Sequence, residues 1–479
     1  MQAEVRQENF FLTGNFAPVK DELDVEDLPV TFGKIPEELN GWYLRNGPNP
    51  QFEPIGKYHW FDGDGMIHGV KLEGGKASYR NRWVLSAGLL EEREAGRALY
   101  PGLAGFDPSE GLDKIRAPKL VANTNVIAHS GKVLALVESG PPTEITLPDL
   151  KTIGPYDFCG KLISAMTAHP KEDFATGELF FFGYSALAPT LVYYVVSPDG
   201  DVKTREEIGL WNPVMIHDFQ ITKNYAIFLE APAVFDISRF LRGETILRFD
   251  RDLPARIGVM PRYGPSSAIQ WFEVPTCYVF HFLNGFEKDG KVVIDACRME
   301  NLDLFALETG TSEDTTPKLF RWELDLASGT ISGDYLDDRA ADFPRIDPRL
   351  VGSRNRYGYF VAPERADQNL LNFDVLRKYD LQTGRVETHK FGPGRATGEA
   401  VFVPKPTADV SMASGEPSDA EDEGWLISFV YDAGRDTSEL VILDAQNFEG
   451  EPVAVIEMPR RIPFGFHGNW IPAGSVPGA

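Results

Sequence analysis

Short apolar and aromatic runs, each of strand length and bounded by turn residues, recur from one end of this chain to the other. Lys132-Val-Leu-Ala-Leu-Val137, Leu179-Phe-Phe-Phe-Gly-Tyr184, Tyr225-Ala-Ile-Phe-Leu229, Lys291-Val-Val-Ile-Asp295 and Trp425-Leu-Ile-Ser-Phe-Val430 are too short to be amphipathic helices. Between such runs lie Ser197-Pro-Asp-Gly200, Leu326-Ala-Ser-Gly329 and Leu381-Gln-Thr-Gly384, where glycine supplies the positive φ that hairpin turns often need. Hairpins therefore dominate, and the fold is expected to be all-β.

Two hairpins are near copies. Trp322-Glu-Leu-Asp-Leu-Ala-Ser-Gly-Thr and Lys378-Tyr-Asp-Leu-Gln-Thr-Gly-Arg share an Asp-Leu-x-x-Gly turn, offset by 55 residues. An offset of that size suits repeated four-stranded antiparallel units around a centre, so a β-propeller is favoured over a sandwich, which needs far fewer strands. Helical pattern is confined to Ala87–Leu99 and a short stretch around Asp236–Leu241, both read as insertions over one face. The acidic stretch 407–424 has the composition of a flexible, solvated loop. No other break in composition marks a linker, so residues 1–479 are read as one domain, beginning at about residue 10.

Charge narrows the partners. The 479 residues carry a net charge of -24, from 71 acidic against 47 basic side chains, so most of the surface would repel a phosphate backbone. Nucleic acid is not expected as a partner, and no protein partner is implied. Peripheral contact with a membrane would have to rest on an apolar patch. Cys159, Cys277 and Cys297 are few, odd in number and widely spaced, which fits a reducing compartment. With no apolar run of membrane-spanning length and no export segment visible, a cytoplasmic location is expected.

Half of the eight histidines stand in distinctive words: His169 in Thr-Ala-His-Pro-Lys, His217 in Met-Ile-His-Asp-Phe, His281 in Phe-His-Phe-Leu-Asn-Gly, and His467 in Pro-Phe-Gly-Phe-His-Gly. Spacings of 48, 64 and 186 residues are too long for one helix or a compact metal loop, so only the tertiary fold could assemble them. Assembled, four neutral imidazoles would suit Fe(II) and leave it its full double charge. A ligating imidazole usually donates its second N–H to a carboxylate or carbonyl. Glu138, ending an apolar run, and Glu399, opening Glu-Ala-Val-Phe-Val-Pro404, would be costly to bury without such a partner. His59 and His68 flank an Asp-Gly-Asp-Gly word that lacks the later ligands of a calcium loop and reads as a turn. His129 and His389 lie near polar turns and read as surface residues.

Arg45-Asn-Gly-Pro-Asn-Pro50, Phe61-Asp-Gly-Asp-Gly-Met-Ile-His68, the four histidine words and Glu399-Ala-Val-Phe-Val-Pro404, in this order along nearly the whole chain, resemble the carotenoid cleavage oxygenase family. The resemblance implies a seven-bladed β-propeller, with short helices and loops capping one face. It implies one Fe(II) per chain, held on the axis by His169, His217, His281 and His467, with O2 as co-substrate. It also implies three supporting carboxylates: Glu138 toward His217, Glu399 toward His467, and a third toward His281. That third position is Asp342 in Ala341-Asp-Phe-Pro-Arg-Ile-Asp347, one methylene shorter than the family's glutamate. Contact with His281 is expected to need a backbone shift or a bridging water. Gly285, where the family usually has alanine, is expected to add backbone freedom beside His281. Thr124 matches a small side chain near the iron in some members.

The activity implied is O2-dependent scission of an alkene to two carbonyl products, the substrate being a hydrophobic small molecule. Phenol-cleaving members resemble one another in a lysine before the first supporting glutamate and a Tyr-Arg-Asn-Pro-like word. This chain has Val137 at the first position and lacks that word in Leu99–Phe106, which favours a carotenoid or apocarotenoid. The alternatives are a stilbene or phenylpropanoid, and a propeller that binds apocarotenoids without turnover. A calcium-centred propeller hydrolase would use carboxylate and amide oxygens in place of imidazoles. Ala231–Leu241 is read as an apolar lip at the cavity mouth.

Overall fold

The computed structural model describes residues 9–103, 119–306, 312–365, 373–406, 408, 410, 418 and 420–479. Among these residues, seven antiparallel sheets of four or more strands form the blades of a propeller, and a two-stranded hairpin accompanies the fourth. Blade one takes its innermost strand, Gly468–Pro472, from the C-terminal end of the chain. That strand pairs with Gly41–Pro48 from the N-terminal part, so the ring is closed by hydrogen bonds between opposite ends of the sequence. A second tie lies in blade seven, where Val30–Gly33 pairs with Ala454–Glu457 as the outer edge. Pairing the two ends of the chain closes the ring, and a closed ring of blades leaves only short, protected sheet edges.

Position within a blade explains the pattern of each strand. Second and third strands are covered on both faces by neighbouring blades, so Glu178–Tyr184 and Gly424–Asp432 are nearly continuous apolar runs. Outer strands have one wet face and alternate, as Val202–Gly209 does with Lys203, Arg205 and Glu207 exposed. Aromatic rings fill the seams: Phe182 meets Phe228 edge-on at 6.2 Å between blades three and four. The two near-copy turns occupy equivalent places, joining third to fourth strands in blades five and six, and Ser197-Pro-Asp-Gly200 does the same in blade three. Gly329, Gly384 and Gly200 all have φ between 71° and 85°.

Buried asparagines tie adjacent blades near the axis. Asn125 donates to the Ala168 carbonyl at 2.7 Å, and Asn469 donates to the Val126 carbonyl at 2.8 Å. The Arg45–Pro50 word serves the same purpose: Asn46 donates to the carbonyls of Ala122 and Asn125.

Four expectations need correction. His129 and His389 are buried at 6% and 7% exposure, because each spans a seam between blades and meets a carbonyl there, Ser197 and Phe448 respectively. His68 lies inside the strand Gly65–Glu73, and only His59 through Asp64 form the turn. Gly285 is required by close approach and not by freedom: a Cβ there would come within 2.8 Å of the Gln220 side chain in blade four. Of 407–424, only 408, 410, 418 and 420–424 fall among the described residues, and its end is docked: Glu421 accepts from the backbone N–H groups of Arg356 and Tyr357.

The helices form within the expected stretches: the first is Ala87–Ala95, capped by Ser86 and ended short of Leu99 by Gly96 at φ 68°, and the second is the single turn Ile237–Phe240. With the hairpin Ala233–Phe235 and Leu247–Phe249, they supply walls to a cavity over one face of the ring.

Candidate metal centre

Each inner strand begins at the same face of the propeller, and each blade places one residue there. His467 stands just before Gly468–Pro472 in blade one, and Thr124 just before Asn125–His129 in blade two. His169 precedes Lys171–Asp173 in blade three, and His217 precedes Gln220–Ile221 in blade four. His281 lies within Tyr278–Lys288 of blade five, Asp342 opens Asp342–Arg345 of blade six, and Glu399 precedes Val401–Pro404 of blade seven. Glu138 follows Lys132–Leu136, the antiparallel neighbour whose end reaches the same face. In blade five the register slips between Val279 and Phe282, a bulge that re-aims His281 toward the axis.

The four histidines are all buried, and their ligand atoms lie within 4.8 Å of one another. The Nε2 atoms of His169 and His217 are 2.9 Å apart. For metal–nitrogen bonds of ~2.1 Å, adjacent ligands at right angles stand ~3.0 Å apart and opposite ones ~4.2 Å, so one ion fits among the four nitrogens.

Three of the imidazoles are aimed by carboxylates behind them. His217 Nδ1 meets Glu138 Oε2 at 2.5 Å, His281 Nδ1 meets Asp342 Oδ1 at 2.7 Å, and His467 Nδ1 meets Glu399 Oε1 at 2.8 Å. Holding Nδ1 in this way leaves Nε2 free to face a metal. The shorter Asp342 needs no bridging water. Its backbone enters a register slip before Arg345, and Phe343 adopts φ 49° directly after it. Among the described residues no carboxylate pairs with His169, whose backbone N–H is held by Thr167 Oγ1 at 3.1 Å.

Electrostatics favour neutral ligands at His169 and His467. Burial, with the three neighbouring imidazoles adding, holds His169 well below the usual histidine range. Burial also lowers His467 to about 4, against the pull of Glu399. His281 moves upward, because the charge and hydrogen bond of Asp342 outweigh its burial. Glu399 falls to about 2: burial opposes ionisation, but Arg345, His467 and the Gly468 N–H prevail. Metal binding needs neutral imidazoles, so protons compete weakly for His169 and His467 near neutrality and more strongly for His281.

Every residue expected at the site reaches it. His217, His281, His467, Glu138, Asp342 and Thr124 line the cavity, His169 and Glu399 lie beneath it, and Thr124 directs its hydroxyl to Asn123 at 3.0 Å. Sequence reasoning missed Tyr184, which donates to Glu138 Oε1 at 2.7 Å, and Arg345, 3.4 Å from Glu399. The available signal was that a carboxylate withdrawn from water has a second oxygen needing a donor.

A cavity of about 800 Å³ opens over this centre, with walls dominated by Phe, Leu, Ile, Met and Pro. It is large enough for an extended apolar ligand. The lip assignment splits: Ala231, Ala233 and Val234 are core, whereas Phe235, Ile237 and Phe240 line the cavity. Val137 is on its wall, as are Tyr100 to Leu103 of the Leu99–Phe106 stretch; residues 104–106 lie outside the described residues. Among the described residues no helix is long and apolar enough to cross a membrane.

Comparison with known proteins agrees with this architecture. A family model described as retinal pigment epithelial membrane protein matches residues 16–472. Carotenoid 9,10(9',10')-cleavage dioxygenase 1 of Arabidopsis thaliana is 37% identical over 493 aligned residues, covering 96% of this chain and 89% of its own. Isoeugenol monooxygenase of Pseudomonas nitroreducens is 35% identical, covering 96% and 98%. The crystal structure of Pseudomonas brassicacearum lignostilbene dioxygenase superposes with a TM-score of 0.87 at 31% identity, covering 97% of this chain and 98% of that one. From the family match over nearly the whole chain, the identities and the four-histidine propeller, the protein is a dioxygenase of the carotenoid cleavage oxygenase family.

Proposed function

We propose that the protein binds Fe(II) through His169, His217, His281 and His467 and cleaves a C=C bond of a carotenoid or apocarotenoid. Both atoms of O2 are added across the double bond, giving two carbonyl products. The observation that carries the reading is a large apolar cavity whose wall includes His217, His281 and His467. When bound, Fe(II) supplies the activation of dioxygen that spin restrictions deny to a bare alkene. The chain's own residues position and shield. Glu138, Asp342 and Glu399 fix the three imidazoles, and Phe280 and Phe343 pack their rings on His217 and His281 at 5.2 and 4.9 Å, excluding water beside the reacting bond. No general base is required.

Val137 supports a polyene, because an apolar wall before Glu138 offers a phenol nothing to grip. A phenolic alkene is the second reading, favoured by the likeness to the isoeugenol and lignostilbene enzymes. Such poorly soluble substrates reside in membranes, and Ile55, Leu187 and Ile237 combine exposure of 41%, 76% and 45% with a place on the cavity wall. The rim they form supports peripheral contact with neutral lipid. The free thiols of Cys159, Cys277 and Cys297 support a reducing, cytoplasmic location.

The test is turnover under 18O2 of an apocarotenoid and a hydroxystilbene, offered separately to Fe(II)-loaded protein and read by mass spectrometry. Labelled aldehydes from the polyene alone are expected. Products from the stilbene alone would transfer the assignment to phenolic alkenes, and no product from either, with iron bound, would leave a binding protein. Sedimentation with phosphatidylcholine vesicles, lost in Leu187→Asp, checks the rim.

A further inference from the structure

Of the three carboxylates behind the histidines, Glu138 differs in what its second oxygen meets. Glu399 Oε2 accepts the buried backbone N–H of Gly468 at 2.9 Å. Glu138 Oε1 instead accepts the Tyr184 hydroxyl at 2.7 Å, while Oε2 holds His217 at 2.5 Å. Tyr184 ends the strand Glu178–Tyr184 in blade three and lines the cavity. Its ring stacks on Phe235 of the inserted hairpin, with centroids 6.0 Å apart and planes at 22°, and Phe235 lines the cavity as well. A continuous line of contacts therefore runs from the cavity cap through Phe235, Tyr184 and Glu138 to His217.

We propose that Tyr184 is a positioning residue of the metal centre, fixing the carboxylate of Glu138 and through it the aim of His217, from a ring that also forms the cavity wall. A carboxylate held by one donor can rotate about its last bond, whereas one bridged between a phenol and an imidazole cannot turn without losing one of two charge-assisted hydrogen bonds. The carboxylate lies 2.5 Å from Nδ1, so its rotation would release the imidazole ring. Stacking on Phe235 restricts Tyr184 in turn, so displacement of the hairpin moves the donor. A neighbouring tyrosine supplies an internal control. Tyr278 is more deeply buried than the half-buried Tyr184 and its phenol also feels the charge of Glu138, yet among the described residues its hydroxyl has no hydrogen-bond partner.

The inference rests on the proposed metal-binding role of the four histidines, and its readouts do not need alkene turnover. In metal-free protein with 15N-labelled histidine, Tyr184→Phe should shift the His217 Nδ1 resonance. Fe(II) affinity, measured by chelator competition, should fall about ten-fold, the lower end of the range for outer partners of metal ligands. On a polyene substrate kcat should fall with KM nearly unchanged. Tyr278→Phe should leave all three as in the wild type. In a Glu138→Gln background, Tyr184→Phe should add nothing, because its route is already cut. A wild-type resonance and affinity in Tyr184→Phe, the same changes in Tyr278→Phe, or additive effects in the double variant would each overturn the proposal. Absence of turnover in every protein, with the affinity and resonance changes intact, would instead count against the proposed substrate.

Discussion

Asp342 reaches His281 directly, Oδ1 to Nδ1 at 2.7 Å, although its side chain is one methylene shorter than the glutamate usual at this place in the family. Its strand slips register before Arg345, with Phe343 at φ 49°. Asp342→Asn keeps the volume and removes the charge, so metal affinity should fall 10- to 100-fold. The pH response should change too. Asp342 holds His281 above its ordinary value against the effect of burial, so protons displace metal as pH falls through that raised pKa. Without that carboxylate, burial is opposed only by the charges of Asp218 and Glu399, and the acid loss of metal should move to lower pH. Competition titrations from pH 5 to 8 check both, and an unmoved acid limb would refute the assignment.

A buried charge clip ties the cap to the ring. Lys119 bridges Asp64, at the start of the third strand of blade one, and Glu92 of the cap helix, with all three side chains at 10% exposure or less. Lys119→Met should destabilise by about 3–5 kcal/mol, because it leaves two carboxylates buried without a counter-charge. Adding Glu92→Gln should recover part of the loss. Urea unfolding measures both, and a loss below about 1 kcal/mol would mean that solvent already screens the clip.

Tyr278 should tolerate loss of its hydroxyl. The group is fully buried and unpartnered among the described residues, and such a group typically carries a penalty of about 1–3 kcal/mol. Tyr278→Phe is therefore expected to raise stability by about 1 kcal/mol in thermal or urea melts. A decrease would show that the hydroxyl has a partner in solution.

Glu421 makes part of the stability fall with rising pH. Burial pushes its carboxyl up from 4.5 to about 7, with Asp347 and Asp422 adding, against the N–H donors of Arg356 and Tyr357. The folded value lies above the unfolded one, so the native state binds the extra proton between 4.5 and about 7. Stability is then lost as pH rises through that window, by up to about 3 kcal/mol. Glu421→Gln should melt higher than wild type at pH 8 and match it near pH 4.5, since the amide oxygen can still accept both N–H groups. Equal gains at both pH values would remove ionisation as the cause.

Period and turn chemistry made the architecture legible. Continuous apolar runs such as Leu179–Tyr184 require cover on both faces, and the recurring Asp-Leu-x-x-Gly turn proved to sit at one fixed place in blades five and six. The helical pattern starting at Ala87 was visible too, and the structure shows Ser86 and Gly96 capping it. These are local properties, carried by a few consecutive residues. The Glu138 and Glu399 assignments were also within reach, since a carboxylate beside an apolar run must find a donor.

Composition, the histidine words and the acidic residues without visible partners were all determined by the sequence. Which groups meet was decided by the fold. Residues 48 to 186 positions apart converge because each inner strand starts at the same face of a closed ring, and no local pattern encodes that radius. The same cause hid His129 and His389, whose turn-like surroundings are buried only where two blades abut. It hid Tyr184, an ordinary strand-end tyrosine until blade three lays it against Glu138 of blade two. Contacts across a seam depend on how side chains of two blades interlock, and that is set by packing in three dimensions rather than by neighbours in the chain.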